Sequence, residues 1–167
     1  MTMQLQQTWP KPNNPKPIVI IGAGGIVHDA HLPAYKKAGF HVQGIFDIDT
    51  SRAEKVASDW GIETVYKSLE DATQFTDVVY DLPLPPVAAP QVLEMLPDGV
   101  PVLIQKPLGL DLEQAKVIRD ICERKNLIAA VNFQLRFSAM MLALRDVVQS
   151  GKLGELTDIE VHLNIHT

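Results

Sequence analysis

Ile18-Val-Ile-Ile-Gly-Ala-Gly-Gly-Ile-Val27 is the stretch of sequence that decides the fold. Its apolar residues predict a buried strand, and its glycines interrupt the pattern where a helix would begin. Gly22 would permit a tight turn, and Gly24 would let a phosphate group approach the backbone and the N–H groups of the helix start. Because Val27 stands where a third glycine is usual, a tight strand-to-helix turn without a ligand is the alternative interpretation.

The composition is that of an ordinary globular protein. The 167 residues are 46% hydrophobic and 21% charged, and no apolar run approaches the length of a membrane-spanning helix. A net charge of −5 disfavours a general nucleic-acid binder and favours a small-molecule partner. Since no secretory signal is visible, and the single Cys122 has the pattern of a buried apolar contact, we expect a cytoplasmic protein without disulfides and without a membrane partner.

Hydrophobic periodicity predicts strands and helices in alternation. A helix over 26–38 is interrupted by Pro33, which belongs in the first turn of a second helical piece starting near His31. Ser51 and Glu54 have the spacing of a capping box that opens the next helix. The other predicted strands cover 42–47, 64–66, 77–82, 100–104 and 128–133, and the other predicted helices cover 51–60, 87–96, 111–125 and 138–149.

This order of elements predicts the fold class. Strands that alternate with helices and are apolar on both faces are typical of a parallel sheet that is covered on both sides. We therefore predict a doubly wound α/β domain over 18–150, with the glycine turn directly after its first strand. That position favours a phosphate-binding turn over the interpretation without a ligand.

Asp47 ends the second predicted strand, roughly twenty residues after the glycines. A carboxylate at this position can accept hydrogen bonds from both ribose hydroxyls of an adenine nucleotide, whereas the alternative is a helix cap or a loop acid. Because a carboxylate repels a 2′-phosphate, Asp47 favours NAD over NADP as cofactor. Arg52 lies nearby in the sequence and keeps NADP as the alternative.

The two ends of the chain differ from its middle. Closely spaced prolines predict an extended N-terminal arm over 1–17, and a loose terminus is the alternative. Residues 157–167 alternate apolar and polar side chains, which predicts a half-buried strand of an antiparallel sheet after a hinge at Gly151 to Gly154. Because no later strand follows to pair with it, we expect 151–167 to begin an incomplete second domain or to pair with another chain, for instance in a homo-oligomer.

Several motifs together resemble one enzyme family. They are the glycine turn with His31-Leu-Pro-Ala34, Asp47, Gln105-Lys-Pro-Leu-Gly109 and Asn132-Phe-Gln-Leu-Arg-Phe137. This combination looks like the glucose–fructose oxidoreductase, inositol dehydrogenase and rhizopine-catabolism (Gfo/Idh/MocA) family, and the resemblance covers nearly the whole chain from Ile18 onward. It implies a cofactor-binding domain with a Rossmann sheet, followed by an α+β domain whose first strand is the last predicted strand here.

The resemblance also implies a function, namely an NAD-dependent, or alternatively NADP-dependent, dehydrogenase acting on a sugar, inositol or related polyol. Lys106 matches the lysine of the family's Glu-Lys-Pro motif, which lies near the nicotinamide and the substrate hydroxyl; an ordinary surface lysine is the alternative. Pro107 would fix this turn through a cis bond. The residues expected to contact the cofactor are Gly22, Gly24, Gly25, Ile26, Val27, Asp47, Ile48, Arg52, Leu84, Pro85 and Gln105.

The sequence departs from the family pattern at several points. Gln105 replaces the usual glutamate, so we expect electrostatic tuning of Lys106 by a neighbouring carboxylate to be lost. The loop from Pro83 to Pro86 lacks the family's threonine, and Ala88 stands where a histidine is frequent. The sequence ends before the helix that carries the family's proton-transfer residues, and no metal site is expected. A non-catalytic nucleotide-binding or assembly module is the alternative function, and a methyltransferase with the same turn is a less favoured third.

Overall fold

A computed structural model of the chain describes residues 5–162 and 164. They divide into two compact units, one comprising 11–133 and the other comprising 5–10 together with the residues from Gln134 onward. The units thus separate after Phe133, whereas the sequence pattern suggested a division near residue 150. Among the described residues, no helix is long and apolar enough to cross a membrane.

The larger unit contains one parallel sheet. Its strands are β1 (Ile18–Ile21), β2 (Val42–Phe46), β3 (Val79–Leu82), β4 (Pro101–Gln105) and β5 (Ile128–Asn132). They lie side by side in the order β2-β1-β3-β4-β5, and every pair is parallel. The predicted strand over 64–66 is reduced to a single bridge between Val65 and Ile45. The predicted doubly wound α/β class is confirmed.

Helices connect the strands. A π-helical turn (Val27–His31) leads into α1 (Leu32–Ala38), followed by α2 (Thr50–Trp60), α3 (Leu69–Ala72), α4 (Ala89–Met95) and α5 (Leu112–Arg124). As predicted, Pro33 lies in the first turn of a second helical piece, where its missing N–H needs no partner. The short helix α3 was not predicted, because four residues are too few to establish a helical period.

The start of α2 differs from the predicted capping box. The N-cap residue is Asp49, whose carboxylate accepts a hydrogen bond from the backbone N–H of Arg52. Ser51 lies within the first turn and donates its hydroxyl to Asp49 at 2.7 Å. The helix starts at Thr50, so the N-cap position, from which a side chain can accept from the free N–H groups, is occupied by Asp49 and not by Ser51. The prediction of a capping box at Ser51 and Glu54 was wrong.

Both faces of the sheet are buried, as a doubly wound fold requires. Ile18 and Ile20 of β1 pack in the same cluster as residues of α1 and α2, whereas Val19 and Ile21 pack in the cluster that includes residues of α4 and α5. The single Cys122 is buried in the second cluster, as predicted, and burial raises the pKa of its thiol.

The smaller unit contains a 3₁₀ turn (Gln134–Phe137) and α6 (Ala139–Gln149), which is capped by the side chain of Ser138. Part of the predicted N-terminal arm packs here. The ring of Trp9 lies edge-on to Phe137, with centroids 5.1 Å apart, and the guanidinium of Arg145 lies over the indole. Residues 5–10 are therefore attached to this unit.

The predicted strand over 157–167 is not formed in residues 157–162, which are extended but unpaired. Ile159 and Val161, which were assigned to its apolar face, are 75% and 81% exposed. An amphipathic pattern forms a strand only beside a partner that accepts its backbone hydrogen bonds, and no described residue provides one. Residues 163 and 165–167 of this prediction lie outside the described part of the chain.

Two leucines test the buried layer between the sheet and α4. Leu93 of α4 is 0% exposed, whereas Leu112 at the start of α5 is 69% exposed. We expect Leu93→Ala to lower the free energy of unfolding by about 2–5 kcal/mol, because it leaves a cavity. The matched control Leu112→Ala should change it by less than about 0.5 kcal/mol. Urea denaturation followed by circular dichroism measures both, and equal losses would contradict this packing.

Candidate functional site

The carboxyl ends of β1, β3 and β4 meet at one edge of the sheet. In the sheet, β1 lies between β2 and β3. The helix that follows β1 packs on one face of the sheet, and the helix that follows β3 packs on the opposite face. In open α/β sheets, such a reversal of strand order leaves a crevice in which ligands bind. The glycine turn and the loop from Pro83 to Pro86 border this crevice.

Gly22 allows these strand ends to approach closely. Its φ of 115° lies in the region that favours glycine, and its N–H donates to Phe46 O at 2.7 Å. A Cβ atom here would lie 3.1 Å from Pro83 O and 3.2 Å from a methyl carbon of Leu84. The proposed tight turn is thus present, and it also fixes the distance between β1 and the loop after β3.

Gly24 and Gly25 leave the surface of the turn open. No heavy atom lies within 4 Å of a Cβ built on Gly24. In the described part of the chain, neither glycine donates its backbone N–H to another group. The turn closes through Val27 N and Gly24 O at 3.0 Å, and the side chain of Val27 is fully buried in the core. At the position where a third glycine is usual, the valine side chain therefore packs in the hydrophobic core.

Asp47 lies against the glycine turn, as its position in the sequence predicted. It is 9% exposed, and its Oδ2 accepts a hydrogen bond from Ala23 N at 2.7 Å. Its Oδ1 accepts one from Asp49 N at 2.8 Å, so two backbone N–H groups hold the carboxylate in place. Ile48 beside it is 94% exposed.

Arg52 is engaged with two carboxylates. Its Nη2 lies 3.2 Å from Asp49 Oδ2 and its Nη1 lies 3.6 Å from Asp47 Oδ1. The pKa of the Asp49 carboxyl is lowered, chiefly by the hydrogen bond from Ser51, then by the backbone N–H of Arg52. The guanidinium is half-exposed, but its charge is already balanced by neighbours.

The loop after β3 carries two further predicted residues. Leu84 is half-buried and packs against the core, while Pro85 accepts a hydrogen bond from Ala88 N through its carbonyl oxygen at 3.0 Å. Ala88 precedes α4, and Pro90 lies in the first turn of that helix. The loop is therefore anchored at both ends, although it lacks the threonine and the histidine discussed above.

Gln105 and Lys106 follow at the end of β4. The Gln105 side chain accepts a hydrogen bond from Lys106 N through its Oε1 at 2.9 Å. The peptide bond between Lys106 and Pro107 is cis, as predicted, and the Lys106 side chain is exposed.

A buried polar cluster was missed by reasoning from the sequence. His31 Nδ1 lies 2.7 Å from Asp81 Oδ2, and Tyr35 donates its hydroxyl to the same oxygen at 2.8 Å. Burial, followed by the charge of Asp81, raises the pKa of Tyr35 far above its usual value. The available signal was Asp81 itself, a carboxylate inside the apolar strand β3.

Comparison with known proteins identifies the family. Residues 16–133 match the family model described as an oxidoreductase family with an NAD-binding Rossmann fold, GFO_IDH_MocA. Similar proteins include the glucose-6-phosphate 3-dehydrogenase of Bacillus subtilis, 31% identical over 155 residues, and an inositol 2-dehydrogenase of Rubrobacter xylanophilus, 31% identical over 140 residues. These matches cover 88% and 81% of this chain but 42% and 40% of the two enzymes, so the chain spans about two fifths of their length.

Solved structures agree with this assignment. An oxidoreductase from Thermotoga maritima has a TM-score of 0.72 at 23% identity, over 85% of this chain and 45% of that one, which shows the shared fold. A 3-ketoreductase from Actinomadura kijaniata, solved with TDP-benzene and NADP, has a TM-score of 0.65 at 26% identity, over 85% of this chain and 44% of that one. The resemblance seen in the motifs is thus confirmed, and the chain belongs to the Gfo/Idh/MocA oxidoreductase family and carries its NAD-binding domain.

Proposed function

We propose that this chain is the cofactor-binding part of a dehydrogenase that acts on a sugar, inositol or related polyol. The observation that carries the proposal is the 2.7 Å hydrogen bond between Asp47 Oδ2 and Ala23 N. It holds a carboxylate suited to ribose hydroxyls beside a turn whose N–H groups suit a pyrophosphate. In this proposal, Gly22, Gly24, Gly25, Ile26 and Val27 form the turn at the pyrophosphate.

The adenosine end of the cofactor would lie near Asp47 and Ile48. A 2′-phosphate would meet the Asp47 carboxylate, while Arg52 is already paired with Asp47 and Asp49. This arrangement supports NAD as the preferred cofactor, with NADP as the alternative. The remainder of the cofactor would lie across the crevice, in contact with Leu84 and Pro85 after β3 and with Gln105 at the end of β4.

Lys106 is our candidate for the catalytic residue. The nicotinamide, when bound, would accept a hydride from the carbon that bears the substrate hydroxyl. The exposed ammonium of Lys106 would donate a hydrogen bond to that hydroxyl oxygen and stabilise the negative charge that develops on it, while the hydroxyl proton would pass to a base of the second domain, where the resemblance places the proton-transfer residues. Pro107 follows directly and restricts the backbone that carries this side chain.

The substrate class is proposed from the relatives. Glucose-6-phosphate 3-dehydrogenase and inositol 2-dehydrogenase each have names that refer to oxidation of a hydroxyl-bearing ring carbon, and both are much longer than this chain. We propose that 151–167 begins a second domain that contributes to the substrate site and to any homo-oligomer. A cytoplasmic location is also proposed, on the basis of the single buried cysteine.

Gly24 tests the pyrophosphate position. A Cβ at Gly24 would meet no protein atom within 4 Å, so Gly24→Ala should leave the unliganded fold unchanged or stabilise it by about 0.4–1 kcal/mol. The added methyl group would stand between the backbone and the phosphate, and we expect the Kd for NAD to rise about tenfold or more. Calorimetric titration of the chain measures the Kd, and thermal melting without NAD is the control. Unchanged affinity in the folded variant would contradict the assignment.

Asp47 tests the ribose position and the choice of cofactor. Asp47→Asn places an N–H₂ group where one carboxylate oxygen accepted hydrogen bonds, so we expect the Kd for NAD to rise about tenfold. Because the repelling charge is removed, the ratio of NADP to NAD affinity should increase. Asp77→Asn is the matched control, since its carboxyl is 90% exposed and pairs with Lys16. If both variants bind NAD like the parent chain, Asp47 has no part in cofactor binding.

Substitution of Lys106 tests its proposed catalytic role. In an active form of the protein, Lys106→Gln should lower kcat by about 10²–10⁴-fold, because the hydroxyl loses its charged donor, with little change in the Kd for NAD. Lys116→Gln serves as control, because Lys116 is an exposed residue of α5 that pairs with Glu113. Turnover that survives Lys106→Gln would show that Lys106 is not the catalytic residue.

A further inference from the structure

We propose that His31 and Asp81 are positioning residues, which fix the backbone of Lys106 through the side chain of Gln105. The proposal rests on the function proposed for Lys106. Its physical content is a chain of hydrogen bonds that runs from β3 through the π-helical turn to the end of β4. We call this chain the relay and define it as Asp81, His31, Gln105 and the N–H of Lys106.

The first step is the orientation of the Gln105 amide. Its Oε1 lies 2.9 Å from the backbone nitrogen of Lys106, which can only donate. This contact identifies the oxygen of the amide without ambiguity, so the other end of the amide is the N–H₂ group. That group lies 3.4 Å from His31 Nε2.

The second step is the protonation state of His31. Its Nε2 is faced by the Gln105 N–H₂ group and by Asn132 Nδ2 at 3.3 Å, so this nitrogen must accept. The single ring proton is therefore on Nδ1, which donates to Asp81 Oδ2 at 2.7 Å. The contacts on both ring nitrogens therefore favour the Nδ1–H tautomer.

The third step is the burial of the relay. The side chains of His31 and Asp81 are 5% and 1% exposed, so solvent cannot replace a lost partner. A buried carboxylate needs donors, and Asp81 Oδ2 has two, His31 and the Tyr35 hydroxyl at 2.8 Å, whereas Asp81 Oδ1 has no partner among the described residues. Because Asp81 Oδ2, His31 and the Gln105 amide are joined by successive hydrogen bonds, the relay restricts where the N–H of Lys106 can lie.

The relay also explains why glutamine suits position 105. An amide can accept from Lys106 N and donate to His31 Nε2 at once, whereas a carboxylate can only accept. We expected that replacing the family's glutamate removes electrostatic tuning of Lys106 by a carboxylate at position 105. A carboxylate one strand away, Asp81, is connected to position 105 through His31.

The tautomer of His31 provides the first test. In ¹⁵N NMR spectra of the uniformly labelled chain at neutral pH, we expect His31 to carry one ring proton, on Nδ1. A proton on Nε2, alone or together with Nδ1, would overturn the relay, because Gln105 could then not donate to it. This measurement needs no substitution, so it does not depend on a variant that folds.

Amide exchange provides the second test. The double variant His31→Phe with Asp81→Leu removes both polar partners and keeps the volume similar, which avoids a lone buried charge. We expect hydrogen exchange at the Lys106 amide to become about tenfold faster, because Gln105 loses the contact with His31 that orients its Oε1 toward this N–H. Ile104, on the same strand, is the internal control, and its exchange rate should stay the same. Equal changes at both amides would indicate a merely structural role and overturn the proposal.

Kinetics link the relay to Lys106. In an active form of the protein, the same double variant should lower kcat about tenfold with KM for NAD unchanged. Faster exchange at Lys106 without any loss of kcat would overturn the positioning role. If Lys106→Gln itself leaves kcat intact, the proposed function fails, while the His31 tautomer still reports whether the relay exists.

Discussion

Gly22 is the residue on which three strand ends depend. Its N–H reaches Phe46 O at the end of β2, and its missing side chain leaves room for the Pro83 carbonyl after β3. A side chain would meet backbone atoms, which cannot move without displacing a strand. The glycine therefore sets the spacing of β1 against both neighbours, and the candidate cofactor site follows from that spacing.

Two buried carboxylates depend on this arrangement in different ways. Asp47 is held by backbone N–H groups of Ala23 and Asp49, so its position is fixed by the glycine turn and the start of α2. Asp81 is held by the side chains of His31 and Tyr35. Since a buried charge without donors is strongly unfavourable, each carboxylate constrains the element that supplies its donors. One stabilises the turn itself, and the other stabilises the helical segment that follows it.

The sequence predicts most of the fold because most of its signals are local. Apolar runs and glycine breaks identify all the strands of the sheet, and Pro33 identifies the two helical pieces after the turn. Local sequence patterns fail where the structure of a residue depends on which other group forms a hydrogen bond with it. Asp49 caps α2 because it meets the free N–H groups before Ser51 does, and residues 157–162 form no strand because no described residue pairs with them.

The same distinction applies to the candidate site, where some residues can be predicted from local sequence patterns and others cannot. Asp47 and Lys106 can be selected from their distance to predicted strand ends, because parallel strands bring those ends to one edge. The contact between His31 and Asp81 joins residues 50 positions apart, and no periodicity relates them. In the proposed relay, the Asp81 carboxylate accepts from His31 Nδ1 and the amide of Gln105 donates to His31 Nε2, a contact that an ionised glutamate could not make because it has no N–H.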